Sequence, residues 1–99
     1  MASQVRNNTA RRRFELEIDD QLAKACYSLQ GNVITFTHTE VPEALEGDGV
    51  GSRLARGALE IARAAGLRVV ARCPFIAGWM ARHPEFNDLL APGDPPEKG

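Results

Sequence analysis

The segment Gly47-Asp-Gly49-Val-Gly51-Ser-Arg53 constrains the fold more than any other part of this 99-residue chain. It separates a run of β-branched and aromatic residues, Val33-Ile-Thr-Phe-Thr-His-Thr-Glu-Val41, from a run with apolar residues at helical spacing, namely Val50, Leu54, Ala58, Ile61, Ala62 and Ala65. A glycine-rich turn that leads from a strand into a helix leaves backbone N–H groups converging at the positive end of the helix dipole, where a phosphate can sit. A structural turn and helix start would also account for the glycines. Gly66 follows the helix as a C′ residue, residues 67–72 are again β-prone, and Cys73-Pro74 opens a second helix that Pro84 stops.

Upstream, Phe14, Leu16 and Ile18 alternate with Glu15, Glu17 and Asp19, the pattern of a half-buried strand. Asp19-Asp20 turns the chain into a second strand over residues 21–29, and Gly31-Asn32 predicts a tight hairpin into the third. By the period-two rule Ile34, Phe36, His38 and Glu40 share one face of that third strand, with Val33, Thr35, Thr37, Thr39 and Val41 on the other. Residues 1–13, rich in Asn and Arg, predict a flexible basic arm, residues 14–90 a single domain, and the Pro- and Gly-rich residues 91–99 a disordered tail. The expected order is β, β, β, glycine loop, α, β, α, a mixed α/β fold with a mostly antiparallel sheet and two helices.

The formal net charge of −1 argues against a general nucleic-acid binder, which needs an excess of cations to neutralise phosphates. Charge is nonetheless segregated: residues 14–52 set eight acids against Lys24, whereas residues 53–82 set six arginines against Glu60. One half suits a cationic substrate and the other a phosphorylated cofactor. Cys26 and Cys73 lie far apart with no Cys-x-x-Cys spacing and no Cys/His cluster, so no metal site is expected and both read as free thiols. No apolar stretch reaches the roughly 18 residues of a membrane span, and the expected setting is cytoplasmic.

The loop fails the dinucleotide pattern because Ser52 stands at the third glycine position, and it fails the P-loop pattern because no Gly-Lys-Ser/Thr follows. It resembles instead the acyl-CoA pyrophosphate loop of the GNAT superfamily of N-acetyltransferases, Gln/Arg-x-x-Gly-x-Gly/Ala, with Gly49 and Gly51 in the small positions and Glu46 where Gln or Arg is usual. His38-Thr-Glu-Val-Pro42, the loop, Cys73-Pro-Phe75 and Arg82-His-Pro84, in that order, resemble a group of very small single-domain GNAT-like proteins. The resemblance implies a minimal acyl-CoA N-acyltransferase fold that binds acetyl-CoA and acetylates an amine of unknown identity, with a monomer as the expected state. A non-catalytic acyl-CoA-binding or protein-interaction module is the alternative.

Carried over residue by residue, the resemblance gives Thr39 and Val41 the pantetheine arm, and Gly47, Asp48, Gly49, Val50, Gly51 and Ser52 the pyrophosphate. Arg53 and Arg56 either screen phosphate charge or lie on an exposed helix face. Glu40 is the first candidate base and His38 the second. Many GNAT enzymes protonate the leaving thiolate with a tyrosine, but Tyr27 on an early strand is the only one here. Cys73 takes its place as acid, as transient acyl acceptor or as a small packed residue.

Overall fold

The structure, a computed structural model, describes residues 4–47 and 49–91. Five strands form one sheet in sequence order: β1 (Arg6–Asn8), β2 (Arg13–Ile18), β3 (Gln21–Gln30), β4 (Val33–Glu40) and β5 (Arg68–Ala71). The first four run antiparallel, and β5 joins parallel to β4 after the helix α1 (Val50–Ala64). A second helix, α2 (Pro74–Ala81), and short 3-10 turns at Glu43–Leu45 and Pro84–Leu89 complete the described chain. The Asp19-Asp20 turn has both residues at positive φ, 52° and 65°, a conformation that short polar side chains tolerate and that suits a two-residue hairpin. α1 ends as a Schellman motif: Gly66, at φ +74°, donates to Arg63 O and Leu67 to Ala62 O.

α1 lays Leu54, Ala55, Ala58, Leu59 and Ala62 on Phe14, Leu16, Ala23 and Ala25 of the sheet, all buried. Phe14, Tyr27 and Phe36 cluster beside them with ring centroids 5.1 to 6.5 Å apart. Arg63 clasps Asp88 with two hydrogen bonds and donates to Glu85 O, fastening the last turn to α1. Among the described residues no helix is long and apolar enough to cross a membrane.

Two expectations are corrected. The basic segment expected to be a flexible arm contributes β1, paired in register Arg6↔Glu15, Asn7↔Phe14 and Asn8↔Arg13. Its lack of apolar periodicity misleads because polar contacts tie it down. Glu15, only 3% exposed, accepts from Arg13 Nε at 2.6 Å, Asn8 Nδ2 at 3.0 Å and Arg6 Nη2 at 3.0 Å. Tyr27 donates to Asn7 Oδ1 at 2.6 Å, and Val5 fills the surface that Gly57 of α1 leaves bare. Residues 1–3, Asp48 and residues 92–99 of the expected tail lie outside the described residues.

The second correction concerns β4. Tyr27 pairs with Phe36, but Cys26 pairs with His38, so Thr37 is an extra residue in a β-bulge. One added residue reverses the alternation beyond it. Thr39 therefore lies opposite buried Ala25 on the helix-covered face, while His38 and Glu40 lie opposite Cys26 and Lys24 on the outer face, both side chains more than half exposed. Ile34 and Phe36 do not share a face with His38 and Glu40.

Candidate functional site

The register of β4 with β5 ends at Phe36↔Ala71, and the N–H groups of Arg72 and Cys73 both donate to Phe36 O as the chain leaves the sheet for α2. Residues 37–40 of β4 run on without a β5 partner. Below this divergence lies a cleft of about 510 Å³, walled by Thr39 and Val41, the glycine loop, the first turn of α1, and Phe75, Trp79, Arg82 and His83. Gly49, at φ +74°, is the N-cap of α1, with no capping side chain and no acid in the first turn. The first bond inside the helix runs from Arg53 N to Gly49 O, so the N–H groups of Val50, Gly51 and Ser52 precede the helical ladder.

Glycine at position 51 leaves room for the opposite wall. A Cβ there would stand 2.8 Å from the Phe75 ring and 3.6 Å from Val41. Gly47 and Gly49 adopt positive φ, which side chains disfavour. The helix dipole, the amides that precede the helical ladder and this narrow passage together suit an elongated ligand with an anionic centre.

Cys73 is 4% exposed and forms the N-cap of α2, with its Sγ 3.2 Å from Thr39 Oγ1. Pro74 occupies the first turn of α2, as the sequence predicts. His38 donates from Nε2 to Glu40 Oε2 at 2.8 Å, and Lys24 Nζ lies 3.5 Å from the same carboxylate. The His38 hydrogen bond, with the Lys24 charge behind it, holds the Glu40 carboxyl below the usual carboxylate range. Neither residue lines the cleft. Tyr27 is 7% exposed and committed to Asn7, away from this site.

Arg53 and Arg56 line a separate, smaller groove with Gln4, Val5, Leu16, Gly57 and Glu60. Arg56 lies 3.5 Å from Glu85 and over the Trp79 and Phe86 rings, at 5.4 and 5.7 Å. The sequence reading missed the α2 wall, although Phe75, Trp79 and His83 recur at a four-residue interval that places them on one helical stripe. Trp79 Nε1 donates to Ser52 Oγ at 2.8 Å, linking α2 to the glycine loop. His83 stacks on the indole at 3.7 Å and 11°, and its Nδ1 donates to Trp79 O at 2.7 Å.

A mostly antiparallel sheet with two helices, the first opened by the glycine loop, is the fold that the sequence resemblance implies. Comparison with known proteins agrees. Residues 13–89 match the model of a GCN5-related N-acetyl-transferase family. The solution structure of a GCN5-like protein from Staphylococcus aureus superimposes with a TM-score of 0.69 at 26% identity, covering 89% of this chain and 87% of that one. The chain belongs to the GCN5-related N-acetyltransferase family.

Proposed function

We propose that the protein binds acetyl-CoA in this cleft and transfers the acetyl group to an amine. The observation that carries the reading is the uncapped N-terminus of α1, which opens onto a cleft bordered by the β5-free end of β4. The amides of Val50, Gly51 and Ser52 hold the pyrophosphate, and the backbone of residues 39–41 receives the pantetheine arm as an added strand. Acetyl-CoA, when bound, supplies a thioester carbonyl open to attack by a neutral amine.

An alkylamine with a pKa near 10.4 must lose a proton before it can attack. Glu40, ionised at neutral pH, can only accept a hydrogen bond, so the proton in its contact with His38 belongs to Nε2. In the neutral ring Nδ1 then keeps its lone pair. His38 Nδ1 is the proton acceptor and Glu40 fixes its tautomer. Because this pair sits on the outer face of β4, the acceptor amine approaches from that side while the acyl donor occupies the cleft. Cys73, adjoining Thr39 at the N-cap of α2, returns a proton to the departing thiolate.

Titration with acetyl-CoA, followed through the backbone amides of Gly47 and residues 49–52 by NMR, tests the binding step. Saturable shifts centred on these amides are expected, and Gly51→Leu should weaken binding more than tenfold while leaving shifts elsewhere native-like. Absence of shifts at millimolar ligand refutes the proposal. Saturable binding without acetylation of any amine tried would leave an acyl-CoA-binding module.

A further inference from the structure

Resting on the acetyl-CoA reading above, we infer that Arg82 recognises the ligand's 3′-phosphate, the group that distinguishes CoA from its 3′-dephospho form. The argument begins with charge. The CoA moiety carries about four negative charges at neutral pH, two on the pyrophosphate and two on the 3′-phosphate. A helix N-terminus offers the equivalent of only about half a positive charge. A side-chain cation on the same cleft would therefore strengthen binding, and the two arginines nearest the start of α1 in sequence, Arg53 and Arg56, line the other groove. Arg56 is engaged by Glu85, Trp79 and Phe86.

Among the described residues that line the cleft, Arg82 is the one arginine and no lysine is present. It makes no ion pair with any described acid, whereas Arg6, Arg13, Arg56 and Arg63 are all paired. Its backbone is held firmly. Arg82 is the C-cap of α2, its N–H donates to Trp79 O, the next residue, His83, is stacked on Trp79 and bonded to the same carbonyl, and Pro84 prevents the helix from continuing.

Its side chain also has a prepared bed. Gly78, one turn earlier, has no Cβ, and the Arg82 guanidinium lies back over that position, with Nη1 3.6 Å from where a Cβ would stand. Trp79 ties this end of α2 to Ser52 in the first turn of α1. Arg82 thus borders the same cleft as the amides of Val50, Gly51 and Ser52, but on the opposing element, α2. A guanidinium fork matches phosphate geometry with paired, charge-assisted hydrogen bonds.

The test compares acetyl-CoA with 3′-dephospho-acetyl-CoA by calorimetry at low ionic strength, for the full chain and for Arg82→Gln, Arg82→Lys and Arg56→Gln. The unmodified protein should prefer acetyl-CoA by about fivefold to tenfold, an exposed contact being weakened by solvent. Arg82→Gln should bring that ratio close to one without changing affinity for the dephospho form, Arg82→Lys should keep part of it, and Arg56→Gln should leave it intact. A ratio unchanged by Arg82→Gln, or lost equally with Arg56→Gln, overturns the inference while leaving acetyl-CoA binding established. Failure of the unmodified protein to bind either ligand overturns both.

Discussion

Replacing Glu15 by Gln should unfasten the N-terminal strand and remove a pH-dependent part of the protein's stability. The carboxylate is 3% exposed and accepts from three side chains, of which Arg13 is the closest at 2.6 Å. That Arg13 hydrogen bond, opposed by burial and reinforced by Asn8 and Arg6, lowers the Glu15 pKa from 4.5 to about 2. At about 1.4 kcal/mol per pKa unit the full shift corresponds to roughly 3 kcal/mol; because Arg6 reaches into solvent, about 2 kcal/mol is the working figure. A carboxylate whose folded pKa is depressed stabilises the fold fully above its unfolded pKa. The contribution disappears as pH falls from about 4.5 toward 2. Urea unfolding followed by the fluorescence of Trp79, the single tryptophan, measures both proteins from pH 7 to pH 2.5. Other carboxylates titrate identically in the two chains and cancel in the difference. Glu15→Gln should be less stable by about 2 kcal/mol at pH 7, with the gap narrowing below pH 4.5 and the amides of β1 exchanging faster. A gap below about 0.5 kcal/mol at pH 7, or one that stays constant across the range, would refute the role assigned to this carboxylate.

The two glycines within the helices should respond with opposite signs. In Gly57→Ala the new Cβ would stand 2.4 to 2.6 Å from Val5, so despite the better helix former we expect a loss of about 1–2 kcal/mol in urea unfolding. In Gly78→Ala the nearest atom is Arg82 Nη1 at 3.6 Å, an ordinary contact, so the gain in helix propensity of about 0.5–1 kcal/mol should appear as increased stability. In an active preparation, Glu40→Gln should lower kcat at least tenfold and leave acetyl-CoA affinity unchanged, because the pair with His38 lies outside the cleft that holds the acyl donor. An unchanged kcat removes the His38–Glu40 pair from the mechanism.

Most of the sheet and both helices could be read from the sequence because each carries its own local signal: alternation from Phe14 to Ile18, Gly31-Asn32 at the hairpin, Pro74 and Gly66 at helix ends. β1 could not, since Arg6–Asn8 is held by a carboxylate nine residues away and by a phenol twenty residues away, contacts that leave no periodic trace. The glycines divide the same way. The positive φ of Gly49 belongs to a local turn, whereas Gly51 and Gly57 answer to Phe75 and Val5, distant in sequence.

The bulge at Thr37 is the instructive intermediate case. Strict alternation from Ile34 and Phe36 carries His38 and Glu40 onto the buried face, where a paired but largely unsatisfied His and Glu would be costly to desolvate. Val41, which the same alternation would set on the opposite face from Ile34 and Phe36, lines the cleft. A single inserted residue reconciles both, turning Thr39 and Val41 toward the cleft and leaving His38 and Glu40 hydrated on the outer face. The strand thereby changes its facing at the point where it loses β5, so one irregularity sets the cleft walls on one side of the sheet and a carboxylate–imidazole pair on the other. A helix-period or strand-period rule applied to either half alone finds one of these groups. Their opposition across β4 follows only from the register, and on that opposition rests the proposed division between acyl donor and acceptor.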